Sequence, residues 1–294
     1  MTAILFQVVL SGLLLGGIYA LVSVGLTLIF GVSRVKNFAH GDLVMVGMYT
    51  TYALTNATGF DPYLISPLVV LLLFGFGLFL SFALIRPIQG APQVAQIFAT
   101  VGLGLVLQNL ALMIYGADFR STPSIVSGKV LRFAGLALPV SLLIAFVVAM
   151  IVIAGLTAFL RLSLTGKAMR AIAQDRRAAS LMSIDVKRID MLTFGLGAAC
   201  AGLAGALLAP VFPVFPTAGV NLVLICFVVV ILGGLGSVEG ALIGGLLIGL
   251  VETLSGFFLG SAMSQIAYFL VFIAVLCLRP AGLFGQRGAE TLGS

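Results

Sequence analysis

Hydrophobic and polar positions fall in long blocks along this chain rather than alternating residue by residue. Apolar runs cover Ile4–Phe30, Leu43–Ala57, Leu64–Ile85, Val94–Tyr115, Val140–Leu160, Met191–Leu208, Asn221–Leu232, Ala241–Phe258 and Gln265–Leu278. Runs of this length without a polar face predict helices buried in lipid. At ~1.5 Å per residue, the first run exceeds a hydrocarbon core of ~30 Å and must tilt or break. Between the runs lie GVSRVKNFAHGD (Gly31–Asp42), a turn at Thr58–Tyr63 and a longer loop, Gly116–Pro139. Alternation around Ile125–Phe133 predicts a small hairpin in that loop. Pro210, Pro213 and Pro216 break the chain later, and GGLGSVEG (Gly233–Gly240) interrupts the last third. The pattern predicts an all-α polytopic membrane protein, a single transmembrane domain over residues 1–294. It has about eight to nine transmembrane segments, including discontinuous helices.

The most polar stretch is Leu160–Asp190. It holds Arg161, Lys167, Arg170, Arg176, Arg177, Lys187 and Arg188, out of 15 Lys and Arg in the chain. Two short helices are legible, Gly166–Ala173 and Arg176–Met182, with Asp175 placed to cap the second. Met169 and Ile172 share one turn, and Ala178, Leu181 and Met182 form a second small apolar face. Such helices can lie on a membrane surface or insert into a groove on another protein.

The composition agrees. With 61% hydrophobic and 8% charged residues and a mean hydropathy of +1.26, the chain is far from a soluble domain, about a quarter of which is charged. The net charge of +6 does not point to nucleic acid, because the basic residues sit at the ends of apolar runs and in the central segment. Only Arg120, Lys129 and Arg132 fall on the side opposite that segment; Arg34, Lys36, Arg86, Arg279 and Arg287 fall with it. The bias predicts a cytoplasmic central segment, an outside N-terminus and a cytoplasmic C-terminus. No Lys or Arg precedes Arg34, so the first run reads as an uncleaved span. Cys200, Cys226 and Cys277 all lie in apolar runs and read as buried thiols.

The first and last thirds echo one another. Each reads as an apolar span, a glycine-containing break, another apolar segment, and a span ending in Arg-Pro (Arg86-Pro87 and Arg279-Pro280). A weak parallel repeat would set Asn37–Asp42 and Gly233–Gly240 face to face, as broken helices do around transport pathways. Asn37, His40, Asp42, Gly236, Glu239, Gly240 and Glu252 are the pathway candidates on this reading. Each has a plainer role as well. His40 can satisfy backbone freed by the break, and Asp42 and Glu239 can cap helices. Gly236, Gly240 and Gly244 suit close helix packing, and Gln108 and Asn109 can join helices. Glu252 lies inside a span or close to its outer interface. There is no GxxxxGK[ST] phosphate loop, no metal-ligand spacing and no convincing catalytic triad, so neither an enzyme nor a resident cofactor is expected.

The string AMRAIAQDRRAASLMSIDV, together with NFAHGDLVMVG and ILGGLGSVEGALIGG, resembles the LivH-type permeases of branched-chain amino acid ABC importers over essentially the whole chain. The resemblance implies a permease domain in a bacterial inner membrane, paired with a second LivH/LivM-like permease as a heterodimer. It also implies two cytoplasmic ABC ATPases, an extracellular or periplasmic solute-binding protein, and no nucleic acid. Residues 161–190 would then be the coupling segment, with Arg170, Asp175, Arg176, Arg177, Ala178, Ala179, Leu181, Met182 and Ser183 meeting the ATPases. The wider importer group reads Glu-Ala-Ala, three residues, Gly at this loop; here Arg177-Ala178-Ala179 and Ser183 stand there, so both Glu and Gly are replaced. The same pattern serves other amino acids and amides such as urea. An ion-coupled secondary transporter and a non-transporting scaffold are the readings from other classes.

Overall fold

A computed structural model describes residues 2–133, 136–279 and 281–284; Pro280 and the tail position Arg287 lie outside the described residues. The long helices are α1 (Thr2–Leu28), α2 (His40–Thr58), α3 (Pro62–Leu80), α5 (Gln93–Tyr115), α6 (Val140–Leu162), α9 (Val186–Leu208), α10 (Ala218–Gly233), α11 (Val238–Leu259) and α12 (Ser261–Leu278). Short helices α4 (Arg86–Ile88), α7 (Leu164–Gln174) and α8 (Arg176–Leu181) complete the set. Among the described residues six helices are long and apolar enough to cross a membrane, and Ala218–Gly233 and Ala262–Leu278 are shorter apolar helices. α2 is set apart by polar residues, among them His40, Asp42 and Asn56. The protein is nearly all α-helical and multi-pass.

α1 does not stop where its length would carry it out of a bilayer. It runs into a π-helical turn, Ile29–Ser33, and ends at Arg34 with φ 55°. α3 also runs into a π-helical turn, Ser81–Ile85, which continues into α4. The antiparallel hairpin forms later than the alternation suggested, from β1 (Val130–Phe133) and β2 (Leu136–Pro139), with Val130 opposite Pro139. It marks one end of the molecule, and α7 and α8 mark the other, basic end. Gln7 near the start of α1 donates to the Ala137 carbonyl of β2 (3.2 Å), while Val32 accepts from Arg176 of α8 (3.4 Å), so α1 spans both ends.

Small residues set the helix spacing. α1 packs most extensively on α11, because a Cβ on Gly245 would sit 2.5 Å from the Ala20 nitrogen and one on Gly16 2.7 Å from the Gly245 carbonyl. α2 meets α9 the same way, a Cβ on Gly47 falling 2.8 Å from the Gly202 carbonyl. Lipid offers no hydrophobic driving force between helices, so such close backbone contact is what holds them. Phe194, Ala198, Ala201, Ala204 and Leu207 of α9 are fully or almost fully buried, placing α9 at the centre. Cys200 and Cys226 are buried as expected, but Cys277 is exposed on α12, whose outer face is apolar and unpaired.

Candidate functional site

α2 begins in the interior of the helix bundle. A Cβ on Gly25 of α1 would touch the Gly197 carbonyl (2.8 Å), the Cys200 side chain (2.9 Å) and the His40 ring (3.2 Å), so the first residue of α2 lies beside the middle of α9. Residues 34–39 must climb there from the basic end as non-helical chain. Backbone buried in this way needs partners, and side chains supply them. Asn37 Oδ1 accepts from the Ala39 nitrogen (3.2 Å), and Thr100 Oγ1 of α5 accepts from the Phe38 nitrogen (3.3 Å). The Thr100 hydroxyl also lies 3.0 Å from the Lys36 carbonyl. His40 Nε2 donates to the Val22 carbonyl of α1 (3.0 Å), which leaves Nδ1 and the Asn37 amide nitrogen buried without partners.

Asp42 does not cap its helix. The helix already starts at His40, and Asn37 supplies the cap-like bond, so Asp42 is free to turn toward α5. It accepts from Gln108 Nε2 at 2.8 Å and is only 4% exposed. The segment across from this start is not Gly233–Gly240 but the beginning of α10. A Cβ on Gly219 would stand 2.6 Å from the Gly41 carbonyl and 2.8 Å from the Asp42 nitrogen. Phe38 stacks on Phe227 of α10 with ring centres 4.4 Å apart. Two helix N-termini therefore converge inside the bundle, and neither has a side-chain cap hydrogen bond from its N-cap residue, Ala39 or Thr217. Both helix dipoles point their positive ends there, and Asp42 in the first turn of α2 offsets that helix's share.

Beside it opens a concavity of about 320 Å³, lined by Gln108, Asn109, Leu112, Phe119, Phe215 and Thr217 among others. That is at the small end of the ~300–1,000 Å³ typical of ligand sites. Its rim toward the hairpin end is stapled. Arg120 and Val214 exchange backbone hydrogen bonds (2.9 and 2.8 Å), Phe119 meets Phe215 edge-on at 5.0 Å, and Arg120 lies over Tyr52 and Tyr115. Its Nη1 donates to the Tyr52 hydroxyl (2.9 Å), a contact that raises the guanidinium pKa further.

At the basic end, α7 and α8 are docked on the bundle. Met169 and Ile172 are fully buried among Leu28, Val32, Leu160 and Ile189, so this apolar face is spent inside the chain. Ala179 is buried too, but Ala178 is exposed, and Leu181 and Met182 stand out 86% and 78% exposed. Asp175 caps α8 through the nitrogens of Arg177 (2.8 Å) and Ala178 (3.0 Å), and those N–H groups hold its carboxyl below the usual range. Arg170 reaches back weakly to the Arg161 carbonyl (3.4 Å). Arg176 turns inward to both carboxyl oxygens of Asp190.

The family model described as the branched-chain amino acid transport system permease component matches residues 8–276. The chain belongs to this permease family. Its relatives include the high-affinity branched-chain amino acid transport system permease protein LivH of Salmonella typhimurium, 30% identical over 97% of this chain and 96% of that protein. BraD of Pseudomonas aeruginosa, with the same description, is 31% identical over 97% of each. A probable LivH of Methanocaldococcus jannaschii is 30% identical over 95% of this chain and 92% of its own length. No solved structure matches the chain significantly.

The remaining pathway candidates of this permease lie elsewhere. Glu239 pairs with Arg161 in a largely exposed ion pair, and Ser237, not Glu239, caps α11 by accepting from the Gly240 nitrogen (3.0 Å). Gly236 (φ 83°) abuts Gly31, Gly240 abuts Gly233, and Gly244 packs on the Val229 carbonyl, so the series closes the α10–α11 turn at the basic end. Glu252 sits in the other half of α11 beside Tyr19 and Tyr268, with one carboxyl oxygen buried and unpartnered. Asn37, His40 and Asp42 are thus together, and Gly236, Glu239, Gly240 and Glu252 are not with them. Thr100, Gln108, Asn109, Phe119, Phe215 and Thr217 join the site through tertiary contacts. Only the amides of Gln108-Asn109 inside an apolar run signalled their importance in the sequence.

Proposed function

We propose that this chain is the permease subunit of an ATP-driven importer of small zwitterionic amino acids, branched-chain ones above all. The observation that carries the reading is the convergence of the α2 and α10 N-termini beside a concavity walled by amides and phenylalanines. A substrate carboxylate suits the N-terminus of α10, which has no acidic residue in its first turn. The ammonium suits amide oxygens of Gln108 and Asn109 with Asp42 behind them, and a branched side chain suits Leu112, Phe119 and Phe215. The chain forms one permease domain over residues 1–294 and works with a second, related permease, two cytoplasmic ATPases and an extracellular solute-binding protein. It sits in the plasma membrane with its N-terminus outside and its basic end and C-terminus in the cytoplasm. Leu181, Met182 and Arg177 meet the ATPases, and hydrolysis belongs to those partners.

The test is uptake of labelled leucine, isoleucine and valine in cells lacking the chain, restored by the wild type. Uptake should fail on ATP depletion, survive a protonophore, and resist competition by urea. Gln108→Leu, which leaves Asp42 buried without its donor, should lower uptake about tenfold or more. Uptake that collapses with the proton gradient while ATP stays high would instead establish an ion-coupled transporter.

A further inference from the structure

We propose that Asp190 and Gln89 are positioning residues that carry movement of α8 into the interior break, an inference that rests on the ATP-driven reading above. Arg176 leaves α8 on the side opposite Leu181 and Met182 and engages both oxygens of Asp190 on α9. Asp190 is 4% exposed. Its Oδ2 also accepts from Gln89 Nε2 at 2.7 Å, and the same guanidinium reaches the Val32 carbonyl at 3.4 Å. The Arg176–Asp190 pair thus ties α8 and α9 to two further places, the guanidinium to one and the carboxylate to the other. Val32 belongs to the π-helical turn from which residues 34–39 depart. Gln89 follows α4, and its carbonyl, with that of Ala91, accepts from Gln96 in the first turns of α5 (3.4 and 3.1 Å). α5 then holds the break through Thr100 and Asp42 through Gln108. The route from the exposed face of α8 to the convergent helix ends is therefore continuous in hydrogen bonds and helix backbone.

The Asp190 carboxylate resists parting from either donor, because it would lose a partner where water does not reach it. Motion of α8 is passed on as rigid-body displacement rather than absorbed locally. The other ion pair among the described residues, Arg161–Glu239, is largely exposed and lacks this property.

The experiment uses the assembled transporter in proteoliposomes and reads ATP hydrolysed per amino acid moved. Asp190→Asn keeps the shape of the side chain and removes its charge; Gln89→Leu removes only the donor to it. Both should retain ATPase pull-down and basal hydrolysis. Asp190→Asn should raise ATP consumed per solute about fivefold or more, with Gln89→Leu smaller in the same direction. The exchange Arg176→Asp with Asp190→Arg should recover part of the coupling lost in Asp190→Asn. An unchanged ratio in Asp190→Asn overturns the proposal, as does an exchange variant no better than Asp190→Asn. Loss of uptake, hydrolysis and pull-down together in both single variants overturns it too, by reducing the cluster to a folding role. If the wild-type chain binds no ATPase at all, the importer reading falls and this proposal falls with it.

Discussion

Ser183 holds φ at 63°, in the left-handed region that costs an L-residue roughly 1–2 kcal/mol and that glycine enters freely. On the resemblance it stands where the wider importer group has its glycine, the residue that takes up such a conformation without steric cost. Ser183→Gly should preserve uptake and raise the thermal midpoint slightly, whereas Ser183→Val should lower it, since a β-branched residue tolerates this region worst. Thermal unfolding in detergent reads both. Asp61 is the other residue whose chemistry can be followed singly. It caps α3 through the Tyr63 nitrogen (3.0 Å) and anchors the hairpin-end loop through Ser124 Oγ (2.6 Å) and the Ile125 nitrogen (2.8 Å). Partial burial pushes its pKa up, but the bonds from Ser124, Ile125 and Tyr63 outweigh that and hold it below the ordinary value. A depressed carboxyl stabilises above its unfolded pKa of about 4 and loses that contribution as pH falls through the lower folded value. The gap in thermal midpoint between wild type and Asp61→Asn should therefore be widest near neutrality and close in strong acid.

At the scale of elements, α8 shows how one short helix carries two opposed requirements. Arg176 and Ala179 face the bundle, and Leu181 and Met182 face away into solvent. An exposed leucine beside an exposed methionine gains about 25 cal/mol per Å² when a partner covers it. Replacing both by Asp should place carboxylates in the partner's groove and weaken ATPase pull-down and uptake together, leaving membrane insertion unchanged. Normal assembly with normal uptake would reduce α8 to a positively charged topology anchor. The π-helical turns after α1 and α3 belong to this scale as well: the first hands over to the non-helical chain of residues 34–39, the second to α4.

For the whole molecule, the bias of Arg and Lys toward the α7–α8 end predicts that this end faces the cytoplasm. With exposed Cys277 changed to Ser and Cys200 and Cys226 left buried, a cysteine introduced at Ile125 should react with an impermeant maleimide in intact cells, and one at Leu181 only after permeabilisation. The reverse pattern would invert the assigned topology. Much of the helical architecture was legible in the sequence, because it follows from composition along the chain. Apolar blocks must become helices in lipid, Gly31–Asp42 is too polar to continue one, and Asp175 before Arg176-Arg177-Ala178 can only cap. What stayed hidden was which break faces which. Gly233–Gly240 looked like the partner of Asn37–Asp42, yet it closes a tight α10–α11 turn, and the start of α10 at Gly219 takes the place beside Gly41. Likewise Asp42 looked like a cap until Gln108, far along the chain, proved to be its donor. The sequence by itself determined the apolar spans, their polar breaks and the Asp175 cap, since these depend on neighbouring residues and on transfer from water to lipid. The pairing of helices, and with it the site, was decided only in the tertiary structure. In lipid that pairing turns on close contact between glycines, and the chain has 36 of them, with nothing local to say which will meet.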